Sequence, residues 1–428
     1  MPSAFSPIAS LRQRYLSGEA DPVEEIDAAL ARSNSNAEHN VYIAQNAQWS
    51  RAEARKLRRE DMEHQPLWGI PVSLKDCFDL AGFPTSCGST FYREHHGIAA
   101  TDSAIAARLR SAGAVITGKT HLHQLAYGIT GQNRDFGDCA QPRDATLLTG
   151  GSSSGTAASV QEGSALAAIG TDTGGSIRLP AALCGLSGYR SSISLGTSEL
   201  WQGGAHLAPS FDTLGWLYRD LADGPTLANA LFDLPFATPP EPSALRIGVP
   251  KAEFFHDCEP DVLAILSQWQ KTLEQQRISL ASFDAAFWND ALAIFAPIQA
   301  SEAAALHRGN FQHFEPLIAE RLAWGESLSS AELANLRRRH NVFREQTTAL
   351  FKNFDYLLLP SAPMSALRVA DDHSETRTRI LRYTTPISLC GLPTVTLPGG
   401  LQLVAPLNHD ASLLALSAAL KIPATLER

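Results

Sequence analysis

Residues 69–76 read Gly69-Ile70-Pro71-Val72-Ser73-Leu74-Lys75-Asp76. Ile70, Val72 and Leu74 alternate with Pro71, Ser73 and Lys75, the two-residue period of a strand. The stretch therefore predicts a β-strand with one apolar face and with Ser73 and Lys75 on the other. Working outward, Thr101-Asp102-Ser103 forms a cap before Ile105 and Leu109, Gly113 stops that helix, and Ala114-Val115-Ile116 follows as a strand. The order repeats further on. A helix of small residues over 156–163 precedes an apolar strand over 165–169, which empties into Gly170-Thr171-Asp172-Thr173-Gly174-Gly175-Ser176. Strand signals recur at 245–249, 356–359, 394–397 and 401–404. Helical periodicity covers 261–276, 290–311 with a break expected at Pro297, and 330–351. This alternation predicts an α/β fold: a central mixed, twisted β-sheet covered by α-helices on both faces.

Upstream, Asp21-Pro22-Val23-Glu24 sets a cap, a first-turn proline and an acidic N3 residue ahead of Val23, Ile26 and Leu30, which share a helical face. The charged stretch 49–60 predicts an exposed helix, and the two helices are expected to clasp the body from outside. No linker, charge block or repeat divides the chain. One large domain over 1–428 is expected: a helical clasp (1–65), a catalytic core (66–200), and a remainder (201–428) that completes the sheet and the substrate pocket.

Of 428 residues, 44% are hydrophobic and 18% charged, so there is material for a large interior. Lys+Arg 35 against Asp+Glu 44 gives a net charge of -9, which argues against direct nucleic-acid or anionic-membrane contact. Residues 1–18 lack the apolar stretch of a secretory signal. The segment 383–409 has no Asp, Glu, Lys or Arg and is long enough to span a bilayer. Its prolines (386, 393, 398, 406) and glycines (391, 399, 400) would break such a helix repeatedly, so it is expected to form buried strands and turns. Cys77, Cys87, Cys139, Cys184, Cys258 and Cys390 form no CxxC and no metal-ligand spacing, and are expected to be reduced and buried in a cytoplasmic protein.

Three segments combine Ser, Gly and a single Lys in apolar surroundings: 69–76, Gly150-Gly151-Ser152-Ser153-Ser154-Gly155, and Asp172-Thr173-Gly174-Gly175-Ser176-Ile177-Arg178. Each alone has an ordinary reading, as a snorkelling lysine, a flexible loop or a turn. Together they point to chemistry, because both Ser/Gly segments lie directly between apolar elements, where a flexible linker does not belong. A buried lysine loses its charge to desolvation and serves as a general base near neutral pH. A serine hydroxyl relays the proton, and glycines let backbone N–H groups converge on one point, as an oxyanion hole requires.

These segments resemble the amidase signature family, hydrolases that use a Ser-cisSer-Lys triad. The likeness extends to SGEADPVEEIDAALAR, PLWGIPVSLKDCFDLAGFPTSCGS and RLRSAGAVITGKT in the N-terminal half, and to YLLLPSAP, TTPISLCGLP and LQLVAP near the C-terminus. The 24-residue offset between Ser152 and Ser176 is the one the family pattern leads one to expect. The resemblance implies Lys75 as general base, Ser152 as the bridging serine with a cis peptide before it, and Ser176 as nucleophile. It implies an oxyanion hole from the backbone of Thr173, Gly174, Gly175 and Ser176, with Ser153 hydrogen-bonding nearby and Asp172 and Arg178 shaping the loop. By the same analogy Tyr127, Gly128, Ile129, Thr130 and Gly131 line the acyl pocket, and helices between Pro297 and Arg344 form its other wall. The implied activity is hydrolysis of a small or medium amide through a serine acyl-enzyme, with no metal and no cofactor.

Alternatives of the same kind are the amidase subunit of a tRNA-dependent amidotransferase and a biuret- or allophanate-type ureido hydrolase. A catalytically silent scaffold subunit is the remote one, and a homodimer is open. Gly151–Gly155 also fits the G-x-S-x-G nucleophile elbow, but residues 141–148 make a poor core strand before it. A P-loop would need a Lys-Ser/Thr pair after the glycines. His95-His96 and His121-Leu122-His123 lack a third metal ligand and read as surface or loop histidines. Two departures from the family stand out. His121 and Gln124 follow Gly118-Lys119-Thr120 where many relatives carry Asn and Glu, and 394–401 joins two segments that most relatives separate, which predicts a shortened hairpin bearing on the pocket or a dimer contact.

Overall fold

The alternation at 69–76 is a strand, and its neighbours in space are the strands expected after it. The computed structural model describes residues 6–195 and 199–426. Its strands in chain order are β1 Tyr42–Ala44, β2 Pro71–Lys75, β3 Val115–Thr120, β4 Ala140–Gln141, β5 Asp144–Leu148, β6 Ala167–Asp172, β7 Ser187–Arg190, β8 Thr213–Tyr218, β9 Arg246–Pro250, β10 Ser279–Phe283, β11 Tyr356–Pro360, β12 Thr394–Leu397 and β13 Leu401–Val404. Eleven of them form one sheet in the order β1-β3-β2-β6-β8-β7-β12-β13-β11-β9-β10, and β4-β5 is a separate hairpin. The sheet is mixed. β2 runs parallel to β3 and β6, β6 pairs antiparallel with β8, and β9 is parallel to β10 and β11.

Helices cover both faces, as the side-chain periodicity demonstrates. Ala167 and Ile169 of β6 join Val72, Leu74, Trp216 and, from the helix Ala104–Ser111, Ile105 and Leu109 in one cluster. Ala168 between them points the other way, with Leu217, toward Ala157, Val160 and Ala181 of the helices Ser154–Glu162 and Arg178–Leu183. The N-terminal clasp is present. Asp21 caps the helix Pro22–Ser35, and Ile26 and Leu30 pack with Ala54 of the helix Ala47–Lys56 against Val115.

Two proline expectations are corrected. The helix Ala291–Leu306 passes through Pro297 without a break and ends before 311. Pro297 is buried inside it, and the helix lies so close to the helix Pro316–Ser327 that a Cβ on Gly325 would fall 2.1 Å from the Ala300 carbonyl. The first part of 383–409 is likewise helical, as the end of the helix Thr376–Cys390 with Pro386 inside it. Pro386 has no N–H to give the Arg382 carbonyl four residues back, and the next carbonyl, that of Tyr383, accepts from Gln402 Nε2 at 3.0 Å. Only after Gly391 do the expected strands begin. Among the described residues no helix is long and apolar enough to cross a membrane. The cysteines are free thiols, buried except for the half-buried Cys258.

Candidate active site

β2 and β6 are parallel neighbours, so their C-terminal ends, Lys75 and Asp172, emerge at the same edge of the sheet. The Ser73–Lys75 face of β2 is covered by the helix Ser154–Glu162, to which Ser73 is tied by a 2.8 Å hydroxyl contact with Ser159. The start of that helix therefore sits over Lys75. The ammonium is fully buried and donates to Ser152 Oγ at 2.8 Å, Ser153 Oγ at 3.0 Å and Thr171 Oγ1 at 2.7 Å. Three N–H donors meet three hydroxyl oxygens, with no carboxylate among them. Burial pushes the Lys75 pKa down from 10.5 to about 8.

The loop before that helix comes very close to the rest of the core. A Cβ at Gly155 would lie 2.0 Å from the Val41 carbonyl, so only glycine lets the helix start there. The Gly151–Ser152 peptide is cis. His123 N–H donates to the Ser152 carbonyl at 3.2 Å, and Ser153 N–H donates to the Ser176 carbonyl at 3.3 Å, which fixes the second serine loop beside the first. Ser176 is 5% exposed.

The 172–178 loop is built around one carboxylate. Asp172 Oδ2 accepts from the backbone N–H groups of Ile177 and Arg178 and, at 3.0 Å, from Arg178 Nε. Its Oδ1 accepts from Arg178 Nη2 at 2.9 Å and Arg190 Nη1 at 2.7 Å. Burial alone would raise this carboxyl, but the Arg178 and Arg190 guanidiniums outweigh it and hold Asp172 far below the usual carboxylate range. Arg178 spends all five N–H donors: two on Asp172, one each on Ser388 Oγ, Gln402 Oε1 and the Thr384 carbonyl. Thr384 Oγ1 also donates to the Gly174 carbonyl, and Thr173 Oγ1 donates to Asp212.

One oxyanion expectation is corrected here. Gly175 N–H donates to Asp172 Oδ1 at 2.8 Å, because the carboxylate captures the nearest amides of the loop that wraps it. The N–H groups of Thr173, Gly174 and Ser176 have no such partner among the described residues. Gly175 is required for shape instead, with φ +124 and an added Cβ 2.8 Å from Thr384 Cγ2.

Sequence reasoning brought Lys75, Ser152, Ser153, Asp172, Ser176 and Arg178 together and missed their supports: Thr171, Arg190, Asp212, Thr384, Ser388 and Gln402. Thr384, Ser388 and Gln402 lie in the quoted segments TTPISLCGLP and LQLVAP, where polar residues inside apolar runs were the available signal. The hairpin of β12 and β13 is short as expected, turning through Gly399 and Gly400, both at φ +85. It takes no part in the cavity lining and acts on the loop instead, by presenting Gln402 to Arg178.

A cavity of about 230 Å³ is lined by His123, whose N–H meets the Ser152 carbonyl, by Gly128, Ile129 and Thr130, by Leu317, Ile318 and Arg321 of the helix Pro316–Ser327, and by Arg377; Lys75, Ser152 and Ser176 are not in its lining. Tyr127 is not part of the lining; its ring backs Arg321 and Arg377. Gly131 packs on the Gly150 carbonyl, too close for a Cβ. The histidines at 121 and 123 lie in a loop, as expected, His121 buried and His123 half-buried. His121 is fully buried with Nε2 2.8 Å from the Gly137 carbonyl, and burial first, then neighbouring cations, holds His123 down to about 3. Gln124 Oε1 accepts from Glu315 N–H at 2.7 Å while Nε2 donates to Asp135 at 3.3 Å, a double role that a glutamate lacks. No cluster of three or more His, Cys, Asp or Glu able to hold a metal occurs among the described residues. The strand before the 150–155 loop belongs to the outlying β4-β5 hairpin, with Asp144–Thr146 exposed, so the nucleophile-elbow context is absent.

Comparison with known proteins identifies the family. The family model "Amidase" matches residues 24–414. The chain is 32% identical to the 2-amino-5-chloromuconic acid deaminase of Comamonas testosteroni, over 82% of this chain and 81% of that protein. It is 30% identical to the 1-carboxybiuret hydrolase subunit AtzE of Pseudomonas sp. (strain ADP), over 88% and 89%. A crystal structure of an amidase superposes with a TM-score of 0.86 at 27% identity, covering 96% of this chain and 98% of that one.

Proposed function

Because the chain belongs to the amidase family, we propose that it hydrolyses the carbon–nitrogen bond of a small amide through an acyl-enzyme on Ser176. The observation that carries this reading is the bare hydroxyl shell of Lys75. An ordinary lysine is almost never neutral at pH 7, whereas one titrating near 8 is neutral in roughly one molecule in ten.

Neutral Lys75 accepts the Ser152 proton as Ser152 accepts that of Ser176, whose Oγ then attacks the amide carbonyl. The N–H groups of Thr173, Gly174 and Ser176 receive the oxyanion. The C–N bond breaks as the proton returns through Ser152 to the departing nitrogen, and ammonia or an amine leaves. Water then attacks the ester, losing its proton along the same relay, and the carboxylic acid departs with Ser176 restored. Ser153 and Thr171 hold Lys75 in line without supplying charge. Asp172, Arg178 and Arg190 keep the oxyanion loop in place. The single-domain division into clasp, core and pocket-completing remainder is part of the same proposal, since one sheet runs through all three segments.

The test is ammonia release from a panel of aryl amides, aliphatic amides, biuret and allophanate by wild type and by Ser176→Ala. Loss of release in the variant is expected for every amide turned over. Release that survives Ser176→Ala contradicts the assignment, and glutamine-dependent release only with added partner proteins points to an amidotransferase subunit.

A further inference from the structure

The sheet ends in β1 on one side and β10 on the other, and the two free edges are built differently. β1 is three residues long and its register with β3 slips between Tyr42 and Ala44, so it offers little to a further strand. β10 keeps unbroken register with β9 over Ser279-Leu280-Ala281-Ser282-Phe283 and contains no charge, proline or glycine. Ser279 and Ser282 are exposed, and Leu280 and Ala281 are half-buried. The devices that ordinarily blunt an edge strand are absent from it.

Parallel pairing with β9 uses alternate residues. Ser279 N–H donates to the Leu245 carbonyl at 3.0 Å and Lys251 N–H donates to the Phe283 carbonyl at 2.9 Å, so Ser279, Ala281 and Phe283 turn their backbone groups toward β9. Leu280 and Ser282 turn theirs outward, where nothing among the described residues bonds them. That edge is complementary to itself. Antiparallel pairing about Ala281 sets Leu280 against Ser282 of a second copy and Ser282 against its Leu280, each a doubly hydrogen-bonded pair. Ala281 then faces Ala281 in the closely spaced position, about 4.5 Å between Cα atoms, where a small side chain fits.

Charge selects the occupant. Arg277 precedes the strand and Asp284 follows it; both are exposed, and neither has an ion-pair partner among the described residues. The same antiparallel register carries residue 277 to the neighbourhood of residue 284 of the second copy, so the opposite charges meet at both ends of the paired strands. Alongside, a groove of about 750 Å³ between β10 and the helix Pro260–Gln275 exposes Leu263 and carries Lys251, Glu253, Lys271 and Glu274. With two charges of each sign this face is neutral on a chain of net charge -9, and a second copy meets no net repulsion there.

We propose that β10 pairs antiparallel with β10 of a second copy of this chain about a two-fold axis at Ala281, joining the two eleven-stranded sheets into one. The contact is isologous and closes at two copies, since each chain has one such edge. Six strands separate β10 from β6, so the pairing leaves the serine loops of both copies untouched. The inference stands apart from the amide-hydrolase reading and does not depend on it.

Association and register are tested separately. Sedimentation velocity of the full chain from about 1 to about 100 µM should show twice the chain mass at the upper concentrations. Arg277→Asp and Asp284→Arg should each raise the dimer Kd at least about tenfold, and an equimolar mixture of the two should recover the dimer, because every acid at the strand ends of one then faces a base of the other. For the register, diamide should capture Ala281→Cys as a disulfide-linked dimer and should leave Ser279→Cys, set opposite Phe283, and wild type uncaptured. The native thiols are buried or half-buried. A monomer at every concentration, a dimer that neither charge reversal weakens, a mixture that stays monomeric, or equal capture at 279 and 281 overturns the pairing. Capture of Ala281→Cys decides the register whatever the charge reversals do to folding.

Discussion

Lys75 and Lys119 leave adjacent parallel strands, are equally inaccessible to solvent, and have opposite surroundings. Lys75 meets only hydroxyls. Lys119 meets Asp76 at 2.6 Å, with the Pro84 carbonyl and Thr85 Oγ1 completing its donors. A hydroxyl stabilises an ammonium weakly and accepts its loss, so burial is free to drive the Lys75 proton off. A carboxylate at contact distance pairs the ammonium and joins two segments. The same residue at the same depth thus meets hydroxyls in one place and ties two segments together in the other. Asp172 repeats the second pattern, with two arginines holding one carboxylate at the centre of the 172–178 loop.

The comparison is broken most severely at Lys75. Lys75→Met is expected to lower kcat/KM for any amide turned over by at least about 10³-fold, while the urea midpoint stays level or rises, because a buried charge without a partner is removed. Lys119→Met should do the opposite in stability. It leaves Asp76 buried and unpaired and should cost about 3–5 kcal/mol in unfolding free energy, part of which Asp76→Leu added to it restores. A stable, fully active Lys119→Met protein would remove the distinction between the two lysines. A smaller effect is expected from Gln402→Leu, which takes from Arg178 one acceptor and from the Tyr383 and Pro360 carbonyls their donor. Its expected cost is about 1–3 kcal/mol, read in the unfolding midpoint, with KM unchanged.

What was legible in the sequence is what local pattern encodes. The two-residue period at 70–75 placed Lys75 on the face that the helix Ser154–Glu162 covers, and Ser103, Gly113 and Asp21 marked helix ends where the helices do begin and end. The proline readings at 297 and 386 failed because each helix packs against segments far along the chain, Gly325 of the helix Pro316–Ser327 in one case and Gln402 of β13 in the other, and local sequence carries no mark of such packing. His121 lies in a loop, one of the two places read for it, but is buried there, because a polar run in a loop carries no mark of the Gly137 carbonyl that satisfies it inside. The Gly175 amide was assigned to the oxyanion hole because nothing in the order of residues reveals that Asp172 folds back onto it. The arginines at 321 and 377 meet only because two distant helices converge on Tyr127.

The central claim, that Lys75 is a base made available by its hydroxyl shell, is tested most directly without any substrate. The rate at which a fluorophosphonate labels Ser176, mapped to that residue by peptide mass, is measured against pH in wild type and in Lys75→Met. The neutral form of Lys75 is the active one, so the rate should rise about tenfold per pH unit and level off above about 8, where that lysine titrates. In Lys75→Met it should be slow and free of that inflection. Equal labelling in the two proteins, an inflection near the ordinary histidine range, or label found on a serine other than Ser176 would contradict it.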